Sequence, residues 1–305
     1  MNTPFLRFED GKVNLGGQDL LVNEANLSIS NTLEEERVYG DVNKNIVGSN
    51  VDFQKYAAKD GVKGELSLGF YITADTFLDK ENANSINKLF KIAEGMGEEP
   101  LHSNTVGRYH FDHMYLKRFN FEIAPFKVVK ASVVYDVYGS IRRIAERRFN
   151  HTDKNFAHGL KSFGELKISN INDTEVIPAG LEISNLKYSI SVERKVHGHI
   201  RDNEHTSINT KSTGTLPYRV SVEKIETEMS LDTNEAIPYV NPYGDYQPGS
   251  SPEGIQDTYV NAYLYSLEGR QIADFSCRGK IYNQSTSLSE GSLARSNLVI
   301  KGVVK

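Results

Sequence analysis

The sequence has 305 residues, of which 38% are apolar and 25% charged, and a formal net charge of −5. That charge argues against a protein whose main task is to hold nucleic acid, because phosphate binding needs clustered lysines and arginines. The single cysteine, Cys277, excludes an intramolecular disulfide and a cysteine-based zinc site. We find no signal-peptide pattern and no apolar segment of membrane-spanning length, so we expect a soluble chain with no membrane contact.

The first half begins with strand patterns. The segment LEEERVYGD, residues 33 to 41, reads as a strand end, with Val38 packed inward and Gly40 letting the chain leave. A polar stretch, 41–61, follows and is too long for a tight hairpin, so we expect a protruding loop. The next strand, GELSLGFYI, alternates with a period of two, which is typical of a half-buried strand. Its apolar face holds Leu66, Leu68, Phe70 and Ile72.

Helix signals are few. Residues 84–95 carry apolar side chains at helical spacing and end at Gly95, a good C-terminal stop. A weaker helical pattern covers 140–149. Between them, 119–141 predicts two strands separated by Pro125, because proline cannot donate a hydrogen bond to a central strand.

The second half repeats the strand patterns. A polar, aperiodic segment, 147–164, suits a linker. SVERKVHGH ends at His199, a second long polar stretch covers 199–214, and the alternating strand YRVSVEKI follows. Residues 236–254 are rich in proline, glycine and tyrosine, which predicts an irregular excursion. The last strands are expected around NAYLYSLEG, RQIADFSCRGKIY and NLVIKGVV.

The two halves share an order of features. Val38-x-Gly40 matches Val196-x-Gly198 at an offset of 196 − 38 = 158, and Glu35 meets Glu193 at the same offset. In each half a polar loop, an alternating strand and a closing strand pair come next. We therefore predict an internal duplication: a first β module over 1–146, a linker over 147–164 and a second β module over 165–305.

Two histidine groups are candidate metal sites. On a strand, His110 and Asp112 share a face and His113 points away, so a third ligand is lacking. His197 and His199 share a face but have the same limit. We predict exposed or interfacial histidines, and neither a metal nor a cofactor.

The sequence evidence for acid–base catalysis is equally weak. Only Glu34 and Glu36 of the triple glutamate share a strand face, and neighbouring like charges are usually solvated. No phosphate-binding glycine loop or nucleophile elbow is present. The basic cluster Arg142, Arg143, Arg147 and Arg148 favours a solvated helix face or a subunit contact, with nucleic-acid binding as the alternative. We predict a protein without enzymatic activity that assembles with copies of itself.

This pattern resembles the tail tube proteins of tailed bacteriophages and related contractile injection devices. The residues that carry the resemblance are LSISNTLEEERVYGD, the loop to Gly61, GELSLGFYI, the helix NSINKLFKIAEG and FKVVKASVVYDVYGSI. The second module matches less well because it has the excursion 236–254 where the first has its helix. A duplicated chain also departs from the common form of the family.

The resemblance implies a mainly β fold of two tandem β-sandwich or barrel modules of tail-tube type, the first with a flanking α-helix. It implies a virion protein, assembled in the host cytoplasm, whose trimeric pseudo-hexameric or hexameric rings stack into a tube that DNA crosses. Sheath, baseplate and tape-measure proteins are the further candidate partners. Candidate lumen or interface charges are Glu34 and Glu36. Candidate inter-subunit loop residues are Asp41, Asn50, Lys59, His199, Asn209 and Lys211, and the candidate outer-surface loop holds Tyr239, Tyr243 and Tyr246.

Three alternatives stay open at this point. One is a tail hub, terminator, baseplate or adaptor protein of the same fold, which would explain the duplication and the excursion 236–254. A carbohydrate-binding β-module is favoured by the 16 tyrosines, since aromatic faces stack on sugars, and disfavoured by the absence of tryptophan. A β-rich hydrolase would use Glu34, Glu36 or Asp112.

Overall fold

The computed structural model describes residues 13–16, 18–29, 33–35, 56–58, 64–73, 100–138, 141–144, 156–168, 182–198, 218–235, 258–289 and 294–304. These residues form strands and turns without a helix, so the mainly β class predicted from the sequence is confirmed. Within these ranges no helix has the length and apolar character needed to cross a membrane.

Eleven strands precede residue 150. They are β1 (Val13–Leu15), β2 (Gln18–Leu20), β3 (Val22–Ile29), β4 (Leu33–Glu35), β5 (Tyr56–Ala58), β6 (Gly64–Tyr71), β7 (Asn104–Val106), β8 (Tyr109–Phe111), β9 (Met114–Ile123), β10 (Lys130–Val137) and β11 (Ile141–Arg143). Six more follow: β12 (Phe163–Ile168), β13 (Ile183–Gly198), β14 (Tyr218–Thr233), β15 (Thr258–Tyr265), β16 (Gln271–Ser287) and β17 (Arg295–Val304).

The strands build three sheets. The largest has the order β12-β15-β16-β17-β14-β13-β9-β10-β6-β3, and every pairing in it is antiparallel. A five-stranded sheet has the order β11-β8-β7-β1-β2, and β4 pairs with β5 alone. Both long polar stretches are therefore flanked by strands that pair with each other: β4 with β5, and β13 with β14 up to Gly198 and Tyr218.

Period-two alternation explains the core of the large sheet. Leu66, Leu68 and Phe70 of β6 are each at most 2% exposed, while the residues between them are half-buried, as the sequence predicts. β9 ends at Ile123, just before Pro125, as expected. The same face continues on neighbouring strands through Ala131, Val133, Phe119, Phe121, Tyr188, Ile190, Met229 and Ile300.

β16 belongs to two parts of the large sheet. Its residues 271–279, here called β16a, pair with β15, and its residues 280–287, here called β16b, pair with β17. The strand passes β17 where Gly279 lies against Gly302. A Cβ on Gly279 would lie 2.2 Å from the Lys301 carbonyl oxygen, so only glycine permits this approach.

The sheet folds over itself because of this passage. Phe275 of β16a reaches the core face of β9 and β13, with its ring centroid 4.6 Å from that of Phe121 and 5.3 Å from that of Tyr188. On β12, a Cβ on Gly164 would lie 2.5 Å from Leu186 Cδ1. Strands β12, β15 and β16a thus form a second layer over the junction between β9 and β13.

The described parts of the two predicted modules share one sheet and one hydrophobic core. Part of the predicted linker also packs: Ala157 is fully buried, its N–H donates to the Ile72 carbonyl, and its carbonyl accepts from the Val129 N–H. The division at 146 and 164 stays a prediction about the sequence, and no gap in the sheet marks it.

One helix prediction is wrong and one lies outside the described residues. Residues 141–143, within the predicted helix 140–149, form β11, which pairs with β8 through Ile141 and Phe111. The pairing completes the five-stranded sheet and overrides a helical pattern of only ten residues. The predicted helix 84–95 falls in the undescribed range 74–99.

Candidate functional site

The outer face of the large sheet, which points away from the core, is polar across eight strands. Strand register places its side chains in rows perpendicular to the strands. One row, read from β3 to β16b, consists of Glu24, Gly69, Ser132, Asn120, Ser189, Glu228, Lys301 and Lys280. A parallel row begins with Tyr71, Lys130, Glu122, Lys187 and Ser230. We call this surface the polar face.

Ion pairs balance the charges of the polar face. Lys301 Nζ lies 3.0 Å from Glu228 Oε2, and Lys187 Nζ lies 3.8 Å from Glu122 Oε1. Lys117 Nζ lies 2.7 Å from Glu65 Oε2, and the hydrogen bond to that carboxylate raises the pKa of Lys117. Each of these three lysines has a carboxylate partner, so cations and anions are interspersed on this part of the face, in contrast to the continuous cationic track that phosphate binding requires.

A groove of about 1,090 Å³ crosses the polar face from β3 to β14. Its floor is the sheet itself, and its charged lining is evenly divided between lysines and glutamates. These are Lys127, Lys130, Lys187, Glu24, Glu122 and Glu228. The rest of its polar lining consists of serines, asparagines and tyrosines, so the groove presents a polar surface with mixed charge.

Three strand edges of the large sheet have no described neighbour: β3, β12 and the side of β16b opposite β17. Because β12 belongs to the second layer, β3 and β16b are the two free edges of the layer that carries the polar face. Unpaired strand edges expose a row of N–H and C=O groups, and these groups are a template for pairing with another chain. Ile29 on β3 and Leu288 just after β16b are 55% and 78% exposed, so both edges carry uncovered apolar side chains.

A half-buried arginine fixes the base of the long hairpin β13–β14. Beyond Ser191 this hairpin leaves β9 and continues as a two-stranded ribbon. Arg194, at its base, donates to the Leu116 carbonyl, and its guanidinium carbon lies 5.2 Å from the Tyr115 ring centroid. Burial lowers the pKa of Arg194 to about 10, against the opposing effects of Tyr138, Tyr115 and Asp136. Arg194 thus remains cationic at neutral pH and holds the ribbon to the start of β9.

The histidine group near β8 does not form a metal site. His110 Nε2 lies 3.2 Å from Asp112 Oδ1, so these two are neighbours as the sequence predicts. His113 instead has a φ of 59° and packs edge-on against His102, with ring centroids 4.8 Å apart. Burial and His102 lower the pKa of His113, and Asp112 opposes them. Across the described ranges, no three His, Cys, Asp or Glu side chains group in a way that could hold a metal ion.

The predicted site residues lie mostly outside the described ranges. Glu34 lies on β4, with its backbone opposite Ala57. His197 donates to or accepts from the Ser221 hydroxyl, with 2.9 Å between Nε2 and Oγ. Outside the described ranges fall Glu36, Asp41, Asn50, Lys59, His199, Asn209, Lys211, Tyr239, Tyr243 and Tyr246.

The sequence contains a signal for the polar face. The residues between Leu66, Leu68 and Phe70 necessarily share the opposite face of β6. The same reasoning applies to Asn120 and Glu122 between the phenylalanines of β9. The order in which strands pair carries no comparable local signal, so the two free edges became visible only in the fold.

No protein-family model matches this chain, and no curated protein is similar to it.

Proposed function

We propose that this chain is a structural subunit of a bacteriophage tail tube. Copies would join side by side into rings, the rings would stack, and DNA would pass through the central channel. The observation that carries the proposal is a repeated strand order within the large sheet.

Two four-stranded units follow the same order. In the first unit, the chain passes through β3, β6, β9 and β10, and the sheet order is β3-β6-β10-β9. In the second unit, the chain passes through β13, β14, β16b and β17, and the sheet order is β13-β14-β17-β16b. This shared topology favours the duplication that the sequence offset suggested.

The units are joined head to tail inside one chain. The third strand of the first unit, β9, pairs with the first strand of the second, β13, from Leu186 opposite Ile123 to Ser191 opposite Arg118. This joint leaves one strand unpaired at each end of the eight-stranded array. These strands are β3, the first strand of the first unit, and β16b, the third strand of the second unit. A neighbouring copy can therefore repeat the internal joint by placing its β3 beside β16b.

A contact between two different edges is heterologous, and it closes into a ring when the rotation between units permits. With two units per chain, three copies supply six units, which matches the pseudo-hexameric ring that the sequence resemblance implies. The polar face then lines the channel. Its paired charges give a passing polyanion no run of free cations, so DNA can move without being held.

Paired proline variants at the β3 edge test this assembly. Adjacent residues in a strand direct their N–H groups to opposite edges. Of Asn26→Pro and Leu27→Pro, one therefore removes a hydrogen bond to β6, and the other removes only a donor at the free edge. We expect the first to lower the Tm and the second to keep the Tm while weakening self-association at least tenfold.

Sedimentation velocity and negative-stain microscopy of both variants and the unaltered chain provide the measurement. Rings of the unaltered chain that neither proline variant weakens would contradict edge pairing. An unaltered chain that stays monomeric at all concentrations, and in virions, would contradict the tail tube proposal as a whole.

A further inference from the structure

Three exposed apolar side chains stand at the tips of three tight turns. Phe126 between β9 and β10, Leu160 before β12 and Leu267 between β15 and β16 are 78%, 52% and 55% exposed. Turn tips normally carry polar residues or glycine, and apolar side chains gathered at a surface mark an interaction site. We call these three residues the turn patch.

Backbone contacts hold the three turns together. The Gly159 N–H donates to the Lys127 carbonyl, and a Cβ on Gly159 would lie 1.9 Å from the Ala124 carbonyl oxygen, so the first two turns touch. The His158 N–H donates to the Tyr265 carbonyl, which joins the second turn to the third. The apolar tips are therefore carried on backbone that hydrogen bonds hold in place.

Phe126 is held in a conformation that suits glycine. Its φ is +62°, it follows Pro125, and the Lys127 N–H donates to the Ala124 carbonyl, which is the arrangement of a type II turn. The third position of such a turn favours glycine or asparagine. An aromatic side chain that stays 78% exposed in this conformation gains little from burial within the chain, which points to a role at the surface.

A cation accompanies each of the three tips. Lys127 and Lys161 directly follow the first two tips, and Arg270 closes the turn of the third. All three are exposed, and among the described residues none has a carboxylate within ion-pair distance, whereas three lysines of the polar face are paired. Glu268 is the one carboxylate in the three turns. The turn patch therefore combines protruding apolar groups with a surplus of positive charge.

This combination fits the surface of an anionic lipid bilayer. Apolar side chains that enter the boundary between head groups and acyl chains stabilise binding in proportion to their buried area, and cations beside them attract anionic head groups. Lysine and arginine keep their charge in water while their stems lie along apolar surface. A bilayer receives separate, highly exposed side chains without a matching pocket, which a protein partner would have to supply.

The turn patch lies at one end of the strands of the large sheet. The first turn leads into Val129, whose carbonyl accepts from the Ile72 N–H just beyond β6. At the other end of β6, Gly64 pairs with Ile29 of β3. The eight residues of β6 separate these ends by roughly 25 Å at the rise of a strand, so a bilayer on the turn patch leaves Ile29 in water.

We propose that the turn patch attaches this chain to the surface of an anionic lipid bilayer, with the apolar tips among the head groups and the cations on anionic head groups. The sequence predicts no membrane contact because it lacks a segment of spanning length, whereas attachment through turn tips needs none. The contact uses neither the β3 edge nor the β16b edge, so it is independent of the tail tube proposal.

A single tryptophan can report this contact, because the chain has none of its own. Phe126→Trp keeps an aromatic tip, and its emission should shift to shorter wavelength when vesicles of phosphatidylcholine with phosphatidylglycerol are added. Ile29→Trp is the matched control at the far end of β6, and its emission should not change. Equal shifts at both positions would overturn the inference, since binding would not be specific to the turn patch.

Removal of an aromatic tip tests the apolar part. Phe126→Asn fits the positive φ, so we expect an equal or higher Tm, which excludes unfolding as the cause of any lost binding. Flotation with the same vesicles should show an affinity that is roughly tenfold lower than that of the unaltered chain. Phe126→Trp should bind at least as well as the unaltered chain. Undiminished binding by Phe126→Asn would contradict the inference.

Charge reversal tests the ionic part. Lys127→Glu with Lys161→Glu should weaken binding roughly tenfold or more, because each cation near an anionic surface adds to the attraction. Lys195→Glu with Lys280→Glu makes the same change in net charge on strands away from the turns and should bind as the unaltered chain does. Binding should also fall when salt is raised or phosphatidylglycerol is left out.

Two further results would each overturn the inference. One is an unaltered chain that binds neither vesicle, or binds both equally well. The other is an emission shift of Phe126→Trp that grows with protein concentration in the absence of vesicles, since a second copy would then cover the turn patch.

Discussion

The two units of the large sheet have the same strand order but different cover. The core of the first is completed by the five-stranded sheet, whose Val13, Leu15 and Phe111 are fully buried and whose Ile141 approaches Gly64. The second is covered by β12, β15 and β16a. The joint between the units therefore depends on the order of strands in the sheet, while the covering layer differs between the halves.

The largest effect should come from the residue that spans the joint. Phe275 extends from the cover of the second unit to Phe119 and Phe121 of the first and Tyr188 of the second. Phe275→Ala removes this ring from a packed core, so we expect the free energy of unfolding to fall by about 4 kcal/mol. Urea denaturation measures the change, and the control Phe163→Ala, which removes a β12 side chain that is 51% exposed, should cost about 1 kcal/mol or less. Equal costs would mean that Phe275 does not join the units.

A smaller loss of stability is expected from a substitution where β16 passes from the covering layer to the second unit. Gly279→Ala places a methyl group 2.2 Å from the Lys301 carbonyl oxygen, which forces β16 away from β17. We expect a loss of about 3 kcal/mol, since overpacking against backbone cannot be relieved by a rotamer change. Gly269→Ala is the control: its φ is +82° but no atom lies within 4 Å, so strain alone should cost about 1 kcal/mol. A harmless Gly279→Ala would contradict the close passage of the two strands.

The smallest effect concerns the cover of the first unit alone. The pKa of His113 is lowered by burial and by His102, so below its ordinary value of about 6.5 the unfolded chain binds a proton that the folded chain resists. Stability should therefore decline as the pH falls from 7 to 5. His113→Asn, which tolerates a positive φ, should flatten this decline in denaturation series. Hydrogen exchange should place the pH effect in β7 to β9. A decline that persists in His113→Asn would assign it to other groups.

Local patterns predicted the strands but not their partners. The alternation of Leu66, Leu68 and Phe70, the stop at Pro125 and the three C-terminal strands were confirmed, because side-chain period and proline chemistry act within a few residues. Pairing between β9 and β13 joins residues more than sixty positions apart, and no local pattern encodes such a partner. The same holds for β11, where three residues became a strand because β8 offered an edge.

The candidate site likewise combines features that local sequence patterns predict with features that only the fold brings together. Charges such as Glu34 were visible in the sequence. The polar face was implied by the alternation of side chains between the two faces of each strand. The meeting of the turns at 124–127, 158–161 and 266–269 was not, since they are joined only by backbone hydrogen bonds between segments distant in sequence. The duplication, the ring and the loop residues from Asp41 to Tyr246 remain predictions.

The passage of β16 has a mechanical consequence. One continuous strand of 17 residues is hydrogen-bonded to β15 in its first part and to β17 in its second. A force that pulls the covering layer off the large sheet must therefore break backbone hydrogen bonds along this strand, beyond merely parting two apolar surfaces. A subunit joined in this way resists separation of its two layers and transmits tension along β16 as a single body.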